Sequence, residues 1–309
     1  MTEKLDFDGE RFTPENVREI WYEHMHRYAF AAPMVAGLDV LDAACGEGYG
    51  AAMLSATAHS VKGVDVASKA IEHAKCRYDL PNLDYQQADC CNLPFEDHAF
   101  DCIVSFETIE HLEGQSKMLS EFRRVLKPTG FLLISSPDKA VYSEQQGFDN
   151  PFHVRELYRH EFETLLESEF PVCRFFGQKL LFHSAIWPMS EGGKETSGTR
   201  MNAHLQTHSD EGPVENARPV HEAMYLLAVC AQDKQALPEL EPAIWMFDDQ
   251  QESVYKHYQH EIRKNMQAGA ILAERDAQLL QLKQELAESS GPEESQRSWL
   301  ERLGIIRRR

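Results

Sequence analysis

Between residues 39 and 137 the sequence alternates short apolar runs with longer amphipathic segments, and this alternation is its most constraining feature. The apolar runs have strand length, and they lie at 40–43, 61–65, 83–88, 100–106 and 131–135. The sequence KPTG at 127–130 predicts a turn before the last of these strands. Strands that alternate with helices at this spacing form a parallel sheet with helices on both faces. The sequence therefore predicts an α/β domain in this part of the chain.

The region that follows predicts one more helix and two more strands. We expect the helix over 154–168 and the strands over 172–183 and 223–231, all inside a domain that spans 1–235. Between the two strands, residues 190–220 are rich in Gly, Ser, Thr, Asn and Glu. Such a composition is typical of a long surface loop.

The last part of the chain has a different pattern. Residues 249–290 are highly charged and carry leucines at 272, 279, 282 and 286, which predicts a helix with a short coiled-coil seam. Residues 291–309 combine an apolar stripe with a basic end, so they are interpreted as an amphipathic basic tail. Self-association, membrane docking and partner docking are all open for this region, and so is a frayed terminus.

A glycine-rich turn links the first predicted strand to the next helix. Its sequence is DAACGEGYG, with glycines at 46, 48 and 50. Glycine lets the backbone approach a ligand closely, and the free N–H groups of a helix N-terminus attract anionic groups. By itself this signal also fits a dinucleotide site or a purely structural turn.

The acidic residues near this turn narrow the choice of ligand. Asp65 ends the second strand, where a carboxylate can accept hydrogen bonds from ribose hydroxyls. Asp89 follows the third strand, where it can meet an adenine amino group. Glu47 lies inside the turn, and a carboxylate there would repel the two phosphates of a dinucleotide. S-adenosylmethionine (SAM) has no phosphate and carries cationic groups, so the acidic turn favours SAM over NAD.

Five segments occur in an order that resembles the class I SAM-dependent methyltransferases, especially the bacterial type 11 group. They are VLDAACGEGYG, GVDVA, ADCCNLPF, FDCIVSFETIEHL and RVLKPTGFLLISSP. The resemblance implies a Rossmann-like, seven-stranded, mostly parallel sheet whose last strand is antiparallel, followed here by the helical tail. It also implies a methyltransferase activity with SAM as cofactor.

The resemblance further implies roles for the residues at matching positions. The methionine part of SAM is expected at Asp42, Gly46 and Gly48, and its ribose and adenine at Asp65 and Val66. The adenine edge is expected at Asp89 and Cys90, and the sulfonium beside Phe106 and Glu107. Arg27 or Tyr28, in a helix before the first strand, would meet the SAM carboxylate. A packing role for that helix is equally compatible with the sequence.

Methyl transfer to a hydroxyl needs a general base, because a protonated hydroxyl attacks poorly. The candidate catalytic residues near the fourth strand are Glu107, Glu110 and His111, and a helix starting at Glu107 would place Glu107 and His111 on one face. His153 follows the fifth strand, on the expected acceptor side. The alternatives are that His111 bonds to the backbone and shapes the pocket, and that His153 caps or packs a helix.

Only a resemblance to one group within this family indicates which molecule accepts the methyl group. The variant FETIEHL together with NPFHVREL resembles methyltransferases found with bacterial cell-surface polysaccharide genes, some of which append a coiled coil. This favours O-methylation of a sugar hydroxyl in a glycan or polysaccharide precursor. A small metabolite or a lipid headgroup is the alternative acceptor. A protein of another class, a SAM-binding scaffold that acts through its helical tail, is the rival hypothesis.

The composition of the chain limits the binding partners and the cellular compartment that we expect for it. The formal net charge of −19 disfavours nucleic acid, because an acidic chain repels phosphate backbones. The seven cysteines lack CxxC spacing and several lie in apolar runs, so we expect reduced, buried thiols. The scattered histidines and cysteines show no ligand spacing, so we expect no metal. The N-terminus lacks an apolar signal segment, which predicts a cytoplasmic protein, peripheral at most to the inner membrane.

Overall fold

The structure is a computed structural model that describes residues 12–14, 19–186, 204–209, 212–289 and 299–303. The chain divides into two compact units, Met1–Asp248 and Asp249–Arg309. The first unit contains all nine strands among the described residues, and the second contains one long helix.

The helices and strands follow the predicted alternation closely. In chain order they are α1 (Glu19–Ala31), β1 (Asp39–Ala43), α2 (Tyr49–Ser55), β2 (Ser60–Asp65), α3 (Ser68–Arg77), β3 (Leu83–Gln87), β4 (Phe100–Ser105), α4 (Gln115–Val125), β5 (Leu126–Pro137), α5 (Arg159–Glu169), β6 (Val172–Gln178), β7 (Leu205–Ser209), β8 (Gly212–Asn216), β9 (Tyr225–Ala231) and α6 (Ser253–Ser289). Short 3-10 turns lie at Ile109–His111 and Lys234–Ala236, and a π-helical turn lies at Ala140–Glu144.

Seven strands form one sheet in the order β3-β2-β1-β4-β5-β9-β6. The pairs from β3 through β5 are parallel, whereas β9 is antiparallel to both of its neighbours. Because β9 is the last strand of the sheet in chain order, the expected seven-stranded, mostly parallel sheet with an antiparallel last strand is confirmed.

The sheet separates two hydrophobic cores because successive residues of a strand point to opposite faces. Val40 packs into one core and Leu41 into the other. The first core includes buried residues of α1, α2 and α3, among them Leu54. The second core includes buried residues of α4 and α5, among them Phe122 and Leu166. The central strands are buried on both sides, as expected for a parallel sheet.

Three local predictions are wrong. The turn expected at 127–130 is part of β5, where the register with β4 shifts and extra residues bulge out of the ladder. The helix expected from residue 154 begins at Arg159, after an extended cap at Tyr158. The loop expected over 190–220 contains the hairpin of β7 and β8, and its residues 190–203 and 210–211 lie outside the described residues.

The cysteine prediction is also wrong for one pair. Cys173 on β6 and Cys230 on β9 lie directly opposite each other, with Cα atoms 4.2 Å apart, and form a disulfide. The sequence gives no sign of this pair, because 57 residues separate the two cysteines and only the antiparallel register brings them together. Three of the five free cysteines, Cys45, Cys90 and Cys102, are buried as expected.

The second unit is dominated by α6, a single helix of 37 residues. The seam leucines Leu272, Leu279 and Leu282 are each more than half exposed on it. The helix is confirmed, and the coiled-coil pairing stays a prediction. In the expected basic tail, residues 299–303 make one helical turn, whereas 291–298 and 304–309 lie outside the described residues. None of the helices that the structure describes combines the length and the hydrophobicity that crossing a bilayer requires.

Candidate active site

The candidate site lies at the edge of the sheet where the parallel strands end. The carboxyl ends of β1, β2, β4 and β5 meet there, and the strand order changes direction between β1 and β4. Open α/β sheets bind their ligands at such a switch point. Most of the candidate residues follow directly after these strand ends.

The glycine-rich turn after β1 has the backbone that its glycines predict. Gly46 and Gly48 have φ values of 56° and 93°, which L side chains rarely adopt. A Cβ on Gly48 would lie 2.7 Å from the Cβ of Ala74, whereas a Cβ on Gly46 would meet nothing within 4 Å. Gly48 therefore serves close packing, and Gly46 leaves an open side where a ligand can approach.

Asp65 connects the end of β2 to this turn. Its Oδ2 accepts a hydrogen bond from the N–H of Gly46 at 3.0 Å, and its Oδ1 accepts one from the N–H of Ala67 at 2.8 Å. The next residue, Val66, is exposed at this edge. A carboxylate fixed at both oxygens is already oriented, so it can receive a ligand hydroxyl without rearranging.

Asp89 and Cys90 follow β3, as the sequence indicates. The Oδ1 of Asp89 accepts a hydrogen bond from the N–H of Cys91 at 2.8 Å, which closes a tight turn. Cys90 is buried in the core beneath this turn. The two residues therefore lie in a short turn after β3, which the hydrogen bond from the Cys91 N–H to Asp89 stabilises.

Tyr28 on α1 contacts Asp42 on β1 in the protein interior. The Tyr28 hydroxyl donates to Oδ1 of Asp42 at 3.1 Å, and the Tyr28 ring packs edge-on against Phe106 with ring centroids 5.1 Å apart. Burial raises the pKa of Asp42 to about 7, although the Tyr28 hydrogen bond opposes this rise. Tyr28 thus contacts two other predicted site residues, Asp42 and Phe106.

Glu47 does not face the ligand side of the glycine turn, contrary to the expectation from the sequence. Its carboxylate is fully buried and faces α3, where it contacts His73 at 3.0 Å and the Tyr78 hydroxyl at 2.9 Å. Arg77 lies 3.4 Å from the same carboxylate. The charge is neutralised inside the protein, so it does not repel a phosphate in the turn. The preference for SAM has to rest on other observations.

Arg27 on α1 reaches the end of β4. Its Nη1 lies 3.6 Å from Oε1 of Glu107 and donates to the side chain of Gln178 at 2.9 Å. Burial disfavours its charge, but Glu107 and other anions outweigh burial and raise the pKa of Arg27. Among the described residues, its Nε and Nη2 are buried without a hydrogen-bond partner. Two adjacent guanidinium N–H donors are therefore available to a carboxylate.

Glu107 is held in an unusual backbone conformation. Its φ is 51°, which is rare for a residue other than glycine and is commonly found at functional sites. Ser135 on β5 holds both the backbone and the side chain of Glu107. The Ser135 hydroxyl accepts a hydrogen bond from the N–H of Glu107 at 3.0 Å and donates one to its Oε1 at 2.6 Å. The condition for a shared helix face is not met, because Glu107 precedes a 3-10 turn at Ile109–His111 and does not start a helix.

Glu110, His111 and His153 come together although 42 residues separate the two histidines. One possible ligand atom from each lies within 4.8 Å of the other two, and the histidine rings meet edge-on at 5.0 Å. Burial and the neighbouring Glu107 raise the pKa of Glu110 well above its ordinary value. Three of the four residues proposed from the sequence as catalytic therefore form one polar cluster, and the fourth, Glu107, is near enough to affect the charge of Glu110.

Three residues that the sequence did not single out support this cluster. Ser135 orients Glu107, and Asn150 and Glu156 bracket the ring of His153 at 3.0 and 2.5 Å. Glu156 could have been found from its position three residues after His153. Ser135 carries no such signal, because it reaches Glu107 only through the pairing of β4 with β5.

Comparison with known proteins identifies the family. A family model for a methyltransferase domain matches residues 41–134. A probable S-adenosylmethionine-dependent methyltransferase of Mycolicibacterium smegmatis is 35% identical over 213 residues, which cover 68% of this chain and 80% of that protein. The chain belongs to the SAM-dependent methyltransferases. It is an enzyme of this family, and its cofactor is SAM.

Two further proteins resemble this chain, one over a shorter stretch and the other at lower sequence identity. The phthiotriol/phenolphthiotriol dimycocerosates methyltransferase 1 of Mycobacterium ulcerans is 38% identical over 115 residues, which are 36% of this chain and 42% of that protein. The crystal structure of the YcgJ protein from Bacillus subtilis is 18% identical, with a TM-score of 0.48, over 68% of this chain and 100% of that one.

The residues at the strand ends fit a bound SAM. The cofactor has a carboxylate, and Arg27 offers two buried N–H donors without partners among the described residues. It also has an ammonium group and a ribose, and Asp42 and Asp65 lie on either side of the glycine turn. The open side of Gly46 leaves room for a ligand close to the backbone.

Proposed function

We propose that this methyltransferase transfers a methyl group to the hydroxyl of a sugar in a glycan or polysaccharide precursor. The observation that carries the proposal is the cluster of Glu110, His111 and His153. A hydroxyl acceptor must lose its proton as it attacks, so a site for it needs a proton acceptor or another group that lowers its pKa. An acceptor that is already ionised needs neither.

Bound SAM supplies a methyl carbon that is activated for displacement by the attached sulfonium. Arg27 would hold its carboxylate, Asp42 its ammonium group, and Asp65 its ribose hydroxyls. Gly46, Gly48 and Val66 would follow its outline, and Asp89 with Cys90 would border the adenine. Phe106 would exclude water beside the sulfonium, since its side chain is buried against Tyr28.

His153 is the better placed of the two candidate bases. Its Nδ1 lies 2.5 Å from Oε1 of Glu156, and this carboxylate accepts the Nδ1 proton and so fixes the tautomer and the orientation of the ring. The Nε2 is then the basic nitrogen, and it meets the side chain of Asn150 at 3.0 Å. His111 is tied to the backbone by its Nδ1, which lies 2.9 Å from the carbonyl oxygen of Phe152.

A turnover screen tests the function and the base together. Purified protein with SAM is offered sugar-nucleotide, lipid and small phenol acceptors, and methylated products are measured by mass. For a hydroxyl acceptor we expect His153→Ala to lower kcat by about 100-fold or more while SAM affinity stays near that of the wild type. Full activity in both His111→Ala and His153→Ala would move the base to Glu107 or Glu110, or remove the need for one.

One relative favours a lipid hydroxyl as the second candidate acceptor. The Mycobacterium ulcerans protein is named for methylation of phthiotriol dimycocerosates, although the match covers less than half of its length. The same screen separates the two acceptors. Methylation of lipid acceptors without methylation of any sugar would replace the sugar proposal with this one.

A further inference from the structure

The cluster of Glu110, His111 and His153 has the composition of a metal site as well as that of a proton-transfer site. It brings one carboxylate and two imidazoles within 4.8 Å of one another. The Nε2 of His111 lies 3.9 Å from Oε1 of Glu110. Two ligands of a tetrahedral ion with bonds of about 2.1 Å lie roughly 3.4 Å apart. This pair would have to close by about half an ångström, and any pair at the 4.8 Å limit by about 1.4 Å, which side-chain rotations can provide.

Both histidines are oriented as metal ligands usually are. The Nδ1 of His111 contacts the backbone carbonyl oxygen of Phe152 at 2.9 Å, so it carries the proton and donates it. The Nδ1 of His153 contacts the carboxylate of Glu156 at 2.5 Å. A histidine that ligates a metal commonly donates its other N–H to a carbonyl or a carboxylate, which fixes its tautomer and its orientation. This arrangement makes Nε2 the unprotonated nitrogen of both rings, and in His153 that nitrogen contacts the side-chain amide nitrogen of Asn150 at 3.0 Å, a contact that an ion would replace.

The carboxylate of Glu110 supplies a second, independent observation. The side chain is 1% exposed, and its Oε2 is buried without a hydrogen-bond partner among the described residues. A buried carboxylate oxygen that lacks a partner costs free energy unless a cation or a donor compensates it. A cation between Glu110 and the two imidazoles would provide that compensation.

We propose that Glu110, His111 and His153 bind a divalent first-row transition metal ion. Two imidazoles and one carboxylate suit zinc, manganese, iron or cobalt better than magnesium or calcium, which prefer ligand sets of oxygen alone. Three protein ligands also leave a coordination position for a further oxygen. The sequence predicted no metal because residues 110, 111 and 153 follow no familiar ligand spacing.

The chemical role of the ion rests on the proposed O-methylation, whereas its binding does not. A hydroxyl oxygen coordinated to a divalent ion has a lowered pKa, so it loses its proton to water near neutral pH. In that case activation of the acceptor needs no free imidazole base. Glu107, which Ser135 and Arg27 already hold, would remain outside the ligand set.

Direct binding of Co²⁺ tests the proposal. The full chain is freed of metal with a chelator and dialysed, cobalt chloride is titrated in, and the visible absorption of the ion is recorded without SAM or acceptor. We expect one equivalent of Co²⁺ to bind. His111→Gln and His153→Gln should each weaken binding by more than about tenfold, and Glu156→Gln, which removes the partner of a ligand, by about 10-fold to 100-fold.

His204→Ala is the matched control, because it removes a histidine from an exposed His–Glu pair elsewhere in the chain. It should bind Co²⁺ like the wild type. Circular dichroism verifies that each variant is folded. Glu110→Gln is a further ligand variant, in which the side chain keeps nearly the same shape but loses its carboxylate. Absence of stoichiometric Co²⁺ binding by the wild type, or unchanged binding in folded His111→Gln and His153→Gln, would overturn the proposal.

The same measurements separate this proposal from the proposed function. If Co²⁺ does not bind but a hydroxyl acceptor is still methylated, the metal proposal fails and the histidine base remains. If Co²⁺ binds at the cluster but no hydroxyl acceptor is ever methylated, the metal site stands and the proposed function fails.

Discussion

The hydroxyl of Tyr28 and the carboxylate of Asp42 form a hydrogen bond of 3.1 Å between α1 and the first strand, with both side chains buried. The bond stabilises the charged form of Asp42, whereas burial favours the neutral form and raises its pKa to about 7. The charge at this end of β1 therefore changes near neutral pH. A cationic group that binds there would shift the balance toward the carboxylate.

This relationship predicts that SAM affinity depends on pH. If Asp42 receives the ammonium group of SAM, affinity should rise as pH increases from about 6 to 8, because the proton on Asp42 must leave before the cation binds. Titration calorimetry at several pH values in buffers of different ionisation enthalpy measures both affinity and proton release. Tyr28→Phe should move the midpoint to higher pH, since it removes the bond that lowers the pKa. An unchanged affinity across this range would exclude Asp42 as the ammonium ligand.

Gly46 should be needed for the cofactor more than for the fold. Gly46→Ala places a Cβ on the open side of the turn and forces an L residue into φ 56°, which costs about 1 kcal/mol of stability or slightly more. Gly37→Ala is matched to it, with φ 75° and no neighbour within 4 Å. Chemical denaturation should give similar losses for both variants. Only Gly46→Ala should weaken SAM binding in calorimetry, and equal affinities would mean that the cofactor does not lie against Gly46.

Asp65→Ala should reduce SAM affinity by about 2–4 kcal/mol, because hydrogen bonds to a charged group contribute about 1.5–3 kcal/mol each and do not simply add. The variant also removes the acceptor for the N–H groups of Gly46 and Ala67. Thermal unfolding should therefore be recorded beside calorimetry. Asp79→Ala, at an exposed carboxylate after α3, is the control. Wild-type affinity in a folded Asp65→Ala protein would contradict the ribose assignment.

Glu23 should make the protein less stable as pH rises. Burial raises its pKa to about 7 from an ordinary 4.5, against the opposing charge of Arg27 and the hydrogen bond from Tyr225. The native state therefore holds this proton more tightly than the unfolded state. Its contribution is full below about pH 4.5 and is lost as pH rises through about 7, a change of about 3 kcal/mol.

Urea unfolding between about pH 5 and pH 8 measures this dependence. Glu23→Gln should flatten the profile and be more stable than the wild type at the upper end. Glu167→Gln, at an exposed position on α5, should follow the wild-type profile. If Glu23→Gln keeps the wild-type slope, another group is responsible for the pH dependence.

The second unit should be dispensable for cofactor binding. Deletion of 249–309 should leave SAM affinity and the methylation of a soluble acceptor unchanged, because all the candidate site residues lie in the first unit. We propose that α6 mediates self-association or docking, so light scattering should give a lower mass for the truncated protein than for the full chain. Leu279→Glu in the full chain, at an exposed seam position, should have the same effect on mass. A folded truncated protein that fails to bind SAM would place part of the active site in the tail.

Sequence patterns alone determined the α/β class and the edge of the sheet at which the glycine turn and the strand-end acids lie. Alternating strands and helices, a glycine turn and acids at strand ends are local features, and local geometry dictates that parallel strands end at one edge. The sequence therefore predicts that Gly46 and Asp65 lie close together, and the hydrogen bond between them agrees with this. The antiparallel last strand came only from the resemblance to a family.

Only the tertiary structure decided how the side chains pair. Glu47 turns into the core because Arg77 at the end of α3 compensates its charge, while His73 and Tyr78 contact its carboxylate oxygens. Cys173 meets Cys230 through the register of two antiparallel strands. His153 reaches Glu110 and His111 because the chain after β5 folds back onto the 3-10 turn after β4, where the N–H groups of Val154 and Arg155 bond to the carbonyl oxygen of Glu110. Such contacts depend on packing between segments distant in the chain, and no short-range pattern in a sequence records them.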